Sequence, residues 1–236
     1  MNASIQKTCH LEPGRKVDTF FTRHDTQKFQ DRLNVRLYAK ADSFMENDSV
    51  VSLNQVHGNR TIIARAPSNR TQDADGVITD VPGLTLTLRT ADCQSFVIFA
   101  PQNYVVGLLH AGWRGLINGA IPQFFVTLNK EFGIDAASTF VAAGPSLCQK
   151  CAEFTDPTKE LPLIDPKFFD GRCVDLQGIA DAELRTCGVL QSNIERHPDC
   201  TCCQSDLYWS YRGGDRDAVR RGQTNVTTCQ LKTLRQ

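Results

Sequence analysis

Six strand-like segments follow one another between residues 51 and 110, and this succession constrains the fold more than any other feature of the sequence. Residues Thr85–Leu88 alternate polar and apolar side chains, as in a strand with one buried face. Turn signals separate the runs at Pro82–Gly83 and at Pro101–Asn103. Strands that follow one another directly favour an α+β fold with mixed sheets over a doubly wound one. The predicted strands are Val51–Val56, Thr61–Ala64, Gly76–Thr79, Leu84–Arg89, Phe96–Ala100 and Tyr104–His110.

Two amphipathic helices accompany these strands. Apolar residues recur at helical spacing from Ile117 to Phe132, and Gly133 ends the pattern. Pro122 lies inside it, which predicts a kink or a late start of the helix. Apolar residues at helical spacing over 176–190 predict a second helix. Further strands are predicted at Thr19–Thr22, Asn34–Ala39, Thr139–Ala143, Leu207–Tyr211 and Thr224–Leu231.

No internal repeat, low-complexity tract or long Pro/Gly/Ser linker divides the 236 residues. We therefore expect a single domain over residues 1–236, with residues 1–50 as a divergent N-terminal part. Lysine plus arginine number 26, as do aspartate plus glutamate. The chain thus lacks the basic excess that is typical of dedicated binders of nucleic acids or acidic membranes.

The ten cysteines indicate metal or redox chemistry rather than a disulfide framework. Met1–Val17 has no apolar run of the signal-peptide type, and no stretch approaches the ~18 apolar residues of a membrane span. We therefore expect a cytoplasmic protein that does not bind membranes. The cytosol keeps thiols reduced, so cysteines there are available as metal ligands.

Three residues of the types that bind zinc each lie at the end of a predicted strand. They are His57, Cys93 and His110, and each stands beside small or turn-forming residues, where scaffolds often present functional groups. Zinc accepts imidazole nitrogen and thiolate sulfur, and three protein ligands leave a position open for water or substrate. The 35 and 16 intervening residues match no compact zinc motif. From spacing alone, hydrogen-bonded histidines and a buried thiol remain the alternative.

Other polar residues surround these three positions. Arg114 lies between two glycines before the predicted helix, which indicates either an anion site or a solvated arginine in a turn. Asp75 and Asp92 are candidates for a base or for partners of a histidine, and backbone capping is the alternative role of such aspartates.

Short motifs of this sequence resemble those of the laccase-domain family, whose members are also called polyphenol oxidase or peptidoglycan editing factor and act as purine nucleoside phosphorylases. The match extends over about residues 51–236, and the His-Ala-Gly-Trp-Arg-Gly element is highly specific. The motifs that carry the resemblance are Asn54–Gly58, Ala74–Gly76, Thr90–Cys93, His110–Gly115, Gly144–Ser146 and Ser210–Arg212.

The resemblance implies an α/β sandwich with mixed sheets flanked by helices. It implies that His57, Cys93 and His110 bind one zinc ion. It also implies phosphorolysis of adenosine, inosine or methylthioadenosine, together with adenosine deamination, so purine nucleosides and phosphate are the expected partners. We expect a monomer or a weak oligomer.

The resemblance also suggests roles for the polar residues. Arg23, Arg114 and Arg212 are expected to contact phosphate, substrate or developing charge, and Asp75, Asp92 and Gln55 to orient water or substrate. The sequence departs from the family at His24–Asp25, where a Gly-Gly pair is usual, and at Ala152, where a tyrosine is common.

Three other functions compete with the zinc-dependent nucleoside enzyme. A copper-dependent phenol oxidase is the weaker metal alternative, because multicopper oxidases need more histidines than the five present. A hydrolase or amidase acting on peptidoglycan precursors would use Cys93 as nucleophile and a histidine as base. The chain would otherwise be a binding protein without catalytic activity.

Five further cysteines form two groups, which are Cys148 with Cys151, and Cys200 with Cys202 and Cys203. Four of them would make a structural zinc site if the fold brought the groups together. A Cys-x-x-Cys redox pair is a second option. Because 48 residues separate the groups, we expect reduced thiols without a ligand.

Overall fold

The computed structural model describes Lys16–Val17, Phe29 and residues 31–41 and 50–233. In this part of the chain, two six-stranded mixed sheets pack with helices, which confirms the predicted α+β class. The predicted strand at Thr19–Thr22 lies outside the described residues. Among the helices that are described, none combines the length and apolar character needed to cross a bilayer.

The strands and helices have the following bounds. The strands are β1 (Lys16–Val17), β2 (Leu33–Ala41), β3 (Val50–Asn54), β4 (Thr61–Ile63), β5 (Ser68–Asp73), β6 (Gly76–Thr79), β7 (Thr85–Thr90), β8 (Gln94–Ala100), β9 (Val105–Ala111), β10 (Phe140–Ala143), β11 (Phe169–Asp170), β12 (Cys173–Val174), β13 (Ile194–Arg196) and β14 (Thr224–Leu231). The α-helices are α1 (Trp113–Ile117), α2 (Ala120–Phe132), α3 (Pro157–Glu160), α4 (Leu176–Thr186) and α5 (Arg216–Arg220).

The two large sheets are named here by their position, because the inner sheet lies between the outer sheet and the helices. The outer sheet has the strand order β1-β2-β14-β7-β3-β5, and the inner sheet has the order β13-β10-β8-β9-β6-β4. Strand β3 runs parallel to β5 and β7, and β4 runs parallel to β6, while β8 and β9 are antiparallel neighbours. Strands β11 and β12 form a separate two-stranded sheet.

The inner sheet is buried on both faces, which explains the uninterrupted apolar runs of β8 and β9. Every residue of these two strands is buried. On one face, Val97 and Leu108 belong to the apolar core shared with Leu86 of the outer sheet. On the other face, Phe96 and Leu109 belong to the core formed with the helices. The result is three layers, namely outer sheet, inner sheet and helices.

Helix α2 starts later than its apolar pattern, as Pro122 predicts. Helix α1 ends at Ile117, Gly119 takes a φ of 73°, and α2 begins at Ala120, which puts the proline in the first turn. Phe124 then packs on Gly107 of the inner sheet, where an added Cβ would lie 2.5 Å from the phenylalanine Cζ.

Two other expectations need correction. The second helix ends at Thr186 rather than near residue 190, because Gly188 has a φ of 103° and turns the chain. The predicted strand Leu207–Tyr211 is a series of turns. There the backbone N–H groups of Trp209 and Ser210 donate to the side chains of Asn225 and Asp215 instead of to a neighbouring strand.

The chain crosses repeatedly from the outer to the inner sheet at one end of the sandwich. It crosses between β3 and β4, where His57 lies, between β5 and β6, at Asp75, and between β7 and β8, at Asp92 and Cys93. His110 lies in β9, whose residue Leu109 pairs with Gly76 of β6, directly after Asp75. The fold thus gathers residues that are far apart in sequence at this end of the sandwich.

Candidate metal centre

His57, Cys93 and His110, here called the cleft triad, bring three donor atoms together. These atoms lie within 4.8 Å of one another. Cys93 Sγ is 3.9 Å from His57 Nε2, and the two imidazole rings are 4.9 Å apart between centroids at an angle of 77°. The sequence expected these residues to converge, and the structure places them at one point.

The carboxylate of Asp75 holds both histidines in place. It is fully buried and accepts hydrogen bonds from His110 Nδ1 at 2.8 Å, the His57 N–H at 3.0 Å and the Gly58 N–H at 2.7 Å. Because His110 Nδ1–H donates its hydrogen bond to this carboxylate, Nε2 is the nitrogen left to bind a metal ion. The same contacts stabilise His57 at a φ of 59°, a conformation that is uncommon outside glycine.

The protonation of the triad follows from these neighbours. Burial acts to raise the pKa of Cys93, but the hydrogen bonds and charges of His110 and His57 outweigh it and lower the pKa to about 6. Burial acts to lower the pKa of His110, but its bonds to Asp75 and Cys93 raise it to about 9. The pKa of Asp75 is lowered against its burial by His110 and the backbone N–H groups. The centre therefore favours a thiolate.

Gly112 leaves the space in which an ion would sit. A Cβ at this position would lie 2.7 Å from Cys93 Sγ and 3.2 Å from His57 Cδ2. Two imidazoles and one thiolate suit zinc, and also copper, in a three-ligand site with an open position. The residues present therefore fit a single metal ion.

Asp92 does not face the triad but anchors the loop that carries Cys93. One carboxylate oxygen accepts the hydroxyls of Thr201 at 2.8 Å and Ser210 at 2.6 Å, and the other accepts the Arg212 N–H at 2.7 Å. Asp92 has a φ of 86°, and these bonds hold it there. Its position indicates that it orients the loop.

Gln55 is likewise engaged with the backbone. Its carboxamide accepts from the Arg89 N–H and donates to the Arg89 carbonyl, both at 2.8 Å. The side chain therefore continues the pairing of β3 with β7 past the end of β3. Gln55 lines the cleft next to His57 with its amide group already satisfied.

The triad opens into a cleft of about 830 Å³. Among the described residues that line it, the only acidic one is Asp92. Three aromatic side chains, Trp113, Phe154 and Tyr211, also line the cleft. Six arginines line it, namely Arg70, Arg89, Arg114, Arg212, Arg220 and Arg221. This lining suits an anionic group together with a flat ring.

Two of the expected arginines lie in the cleft. The Arg114 guanidinium lies 4.1 Å from the Trp113 ring centroid, and Arg212 donates to the Glu153 carbonyl at 2.6 Å. Arg23 lies outside the described residues. The sequence did not single out the other four arginines, and the adjacent pair Arg220–Arg221 is the one local signal that could have done so.

Helix α1, which follows His110, is too short to form an anion site at its N-terminus. Helix α1 has five residues and ends at Ile117, and the chain then restarts as α2. Its dipole is correspondingly weak, so arginine side chains are better placed than backbone N–H groups to hold an anion here.

Four cysteines form a second cluster, here called the cysteine quartet. It comprises Cys148, Cys151, Cys200 and Cys203, whose sulfur atoms all lie within 4.8 Å of one another. Cys203 Sγ is 3.5 Å from Cys151 Sγ and 3.9 Å from Cys148 Sγ, so no disulfide joins them. The fold therefore brings together the two groups that 48 residues separate in the sequence.

Comparison with known proteins places the chain in a family. A family model described as "Multi-copper polyphenol oxidoreductase laccase" matches residues 13–227. The chain belongs to this family. The laccase-domain resemblance read from the motifs is thereby confirmed, and the family name associates the fold with a metal.

Relatives in this laccase family carry nucleoside-enzyme names. A Streptomyces coelicolor protein named purine nucleoside phosphorylase is 30% identical over 171 residues, which are 69% of each chain. A protein of an unknown prokaryote named adenosine deaminase is 28% identical over 211 residues, 81% of this chain and 79% of the relative. The match spans 60% of the length of a Rickettsia conorii relative that is also named purine nucleoside phosphorylase.

A solved structure of the laccase family has the same fold. The crystal structure of YlmD from Geobacillus stearothermophilus superposes with a TM-score of 0.69 at 26% sequence identity. The superposition covers 79% of this chain and 74% of YlmD. The family is thus one of proteins named as purine nucleoside phosphorylases, on a mixed α+β fold.

Proposed function

We propose that the chain is a zinc-dependent purine nucleoside enzyme that cleaves nucleosides with phosphate. One observation carries the proposal. The cleft triad opens into a cleft whose described lining has six arginines and a single acidic residue, Asp92. Metal donors, anion-binding side chains and aromatic rings therefore face one space, as a reaction between a nucleoside and phosphate requires.

His57, Cys93 and His110 would hold the metal. When bound, a zinc ion supplies Lewis-acid chemistry at the open position of the site. Zinc is favoured over copper because group transfer to phosphate needs no change of oxidation state. A multicopper centre would also need more imidazoles than the two found in the candidate ligand groups of the described residues.

The arginines would bind phosphate and stabilise the charge that develops as the glycosidic bond breaks. Guanidinium groups pair with phosphate oxygens in a bidentate way that lysines cannot copy. Arg114 is stacked on Trp113 and Arg212 is bonded to Glu153, so both guanidinium groups are held in place before an anion arrives. Such preorganisation lowers the cost of ordering them around a substrate.

The aromatic side chains would hold the purine. Trp113 and Phe154 meet edge to face with ring centroids 5.7 Å apart, and both line the cleft. Phe154 thus supplies an aromatic surface two residues after Ala152, the position where the family commonly has a tyrosine. A purine packed there gains apolar contact while its polar edges face the triad.

Asp75 and Asp92 would act through the residues that they position. Asp75 fixes the tautomer of His110 and the backbone around His57, and Asp92 fixes the loop of Cys93. Both carboxylates are already satisfied by protein donors, which leaves them poorly placed to take a proton from substrate. Their contribution is orientation of the metal donors.

Incubation with adenosine, inosine and methylthioadenosine, with and without phosphate, tests the proposal. Phosphorolysis predicts that free base and a sugar phosphate form only when phosphate is present. Release of ammonia from adenosine without phosphate would instead show deamination, the reaction in the name of one relative. Base release that does not depend on phosphate would contradict the phosphorolysis assignment.

A second candidate is a hydrolase or amidase with Cys93 as nucleophile. It is favoured by the lowered pKa of Cys93, about 6, next to His110, whose pKa is raised to about 9. Such a pair is a thiolate with an imidazolium, the arrangement of cysteine nucleophiles. A chelator would leave this activity intact and iodoacetamide would abolish it, whereas the zinc enzyme would lose activity with the chelator.

A further inference from the structure

We propose that the cysteine quartet of Cys148, Cys151, Cys200 and Cys203 binds a second zinc ion, which fastens one wall of the cleft. The inference does not depend on the proposed function, because it rests on the geometry of four sulfur atoms and on what their segments carry. The quartet lies apart from the cleft triad and shares no residue with it.

The spacing of the sulfur atoms matches a tetrahedral site. Zinc binds thiolates at about 2.3 Å, so two ligands of a tetrahedron lie about 3.8 Å apart. Cys203 Sγ lies 3.5 Å from Cys151 Sγ and 3.9 Å from Cys148 Sγ, and all four sulfurs are within 4.8 Å of one another. The four donors therefore surround a space of the size of one ion.

Backbone N–H groups point at the sulfur that is buried. Cys200 Sγ accepts from the N–H of Cys148 at 3.3 Å and of Cys203 at 3.5 Å, so each Cys segment is bonded to the same atom. N–H groups around a thiolate stabilise its negative charge and orient it as a ligand. The two segments also form a β-bridge between Ser146 and Cys200.

Other uses of four cysteines fit the geometry less well. A Cys-x-x-Cys redox pair joins its own two cysteines, but here Cys148 and Cys151 both lie within 3.9 Å of Cys203. An iron–sulfur cluster would divide the thiolates between two or four irons, and thiolates on different irons would lie further apart than the 4.8 Å that encloses all four sulfurs here. Left as neutral thiols, the four side chains would gain little from this convergence, because S–H is only a weak hydrogen-bond donor.

The position of the quartet shows what the ion would stabilise. Its first segment leads into Ala152 and Phe154 of the cleft wall. Its second segment carries Thr201, whose hydroxyl binds the Asp92 carboxylate, while the Leu147 N–H binds the Asp92 carbonyl at 3.2 Å. Both segments thus contact the residue next to Cys93, and joining them through a metal fixes the loop of the triad from behind.

Metal analysis of the full chain, purified under reducing conditions, tests the inference. We expect two zinc ions per chain in the unmodified protein, one in Cys203→Ser and one in His57→Ala. Cys202→Ser is the matched control, because Cys202 lies in the same loop but outside the quartet, and it should keep two. One zinc in the unmodified protein that Cys203→Ser retains, or loss of zinc in Cys202→Ser, would overturn the assignment.

Cobalt substitution identifies the ligand set without relying on activity. Cobalt in a four-thiolate site gives strong sulfur-to-metal absorption and intense tetrahedral visible bands. We expect the four-thiolate spectrum in His57→Ala, and in Cys203→Ser only the weaker absorption of cobalt bound by the single thiolate of the triad. An iron chromophore in the protein as isolated would contradict zinc as the native ion.

Alkylation rates of the cysteines in the unmodified protein test the inference without a substitution that could impair folding. Cys203 is exposed and Cys202 is only partly exposed, so exposure alone makes Cys203 the faster to react. A bound ion reverses this order, so that Cys202 is alkylated first and Cys203 only after a chelator is added. If Cys203 reacts first, with no effect of the chelator, the quartet holds no metal.

Discussion

The cleft triad and the cysteine quartet contain similar donors, but the fold holds them in different ways. The triad comes from chain crossings between two sheets and from β9, and a buried carboxylate, Asp75, orients its histidines. The quartet comes from a short 3-10 turn at Gln149–Cys151 and from a loop after β13, and backbone N–H groups orient one of its sulfurs.

If both proposed ions bind, this difference assigns them two roles. Three donors facing a cleft leave a position for a ligand, as in catalytic zinc sites. Four thiolates complete the coordination of zinc, as in structural sites, and leave no position for substrate. Changes at the triad should therefore affect turnover, and changes at the quartet should affect stability.

The largest expected effect is on turnover in His57→Ala. Loss of a metal ligand removes several kcal/mol of transition-state stabilisation, which corresponds to a fall of ~10³-fold in kcat/KM for phosphorolysis. Thermal unfolding should change little, because His57 is exposed at the cleft surface. If His57→Ala kept full activity but unfolded at a lower temperature, the triad would be a structural site and not a catalytic one.

The next effect is on stability in Cys203→Ser. Without its metal the quartet no longer joins the segments around Cys148 and Cys200, and we expect a loss of about 3 kcal/mol, or roughly 10 °C in Tm. Differential scanning calorimetry measures the shift, with Cys202→Ser as the control that should unfold like the unmodified protein. Equal Tm values for both variants would remove the structural role of the quartet.

Asp75→Asn separates the two sites by affinity. The amide cannot serve His110 Nδ1 and the backbone N–H groups as the carboxylate does, so zinc affinity at the triad should fall about 10–100-fold. Competition with a chromophoric chelator should show that one zinc ion is bound more weakly and that the other is bound with unchanged affinity. Asp73→Asn is the control, because Asp73 is exposed and bonded to Asn54. Weakening of both ions would show that the sites are not independent.

The smallest expected effect is on phosphate binding in Arg114→Ala. Loss of one guanidinium among six should raise the KM for phosphate about tenfold and leave the Tm unchanged, since a charge-assisted hydrogen bond contributes about 1.5–3 kcal/mol. Arg65→Ala is the matched control, because this arginine pairs with Asp80 on the surface and does not line the cleft. An equal rise in KM in both variants would indicate a general charge effect.

The strands of the sheet core could be predicted from the sequence because each is marked by a local pattern of apolar residues. Gly76–Thr79 and Thr224–Leu231 were predicted with their observed bounds. Strand β5 (Ser68–Asp73) was missed because none of its residues is buried, so no apolar pattern marks it. Leu207–Tyr211 was predicted wrongly because the backbone N–H groups of Trp209 and Ser210 bond to side chains instead of to a neighbouring strand, which the apolar pattern does not reveal.

The convergence of His57, Cys93 and His110 could be predicted because each stands in a motif. The arginine lining was not, because Arg70, Arg89 and the pair Arg220–Arg221 come from distant segments that meet only in the fold. The cysteines were expected to be unligated, since a gap of 48 residues says nothing about distance in space. Their convergence depends on the pairing of Ser146 with Cys200.

Zinc-dependent phosphorolysis is tested most directly by phosphate-dependent turnover of inosine and adenosine, measured on the same preparation before and after its zinc is removed and restored. We expect free base to form only with phosphate, its formation to stop when the zinc of the triad is removed, and added zinc to restore it. Undiminished turnover in zinc-free protein, or no turnover of any purine nucleoside by zinc-loaded protein, would contradict it.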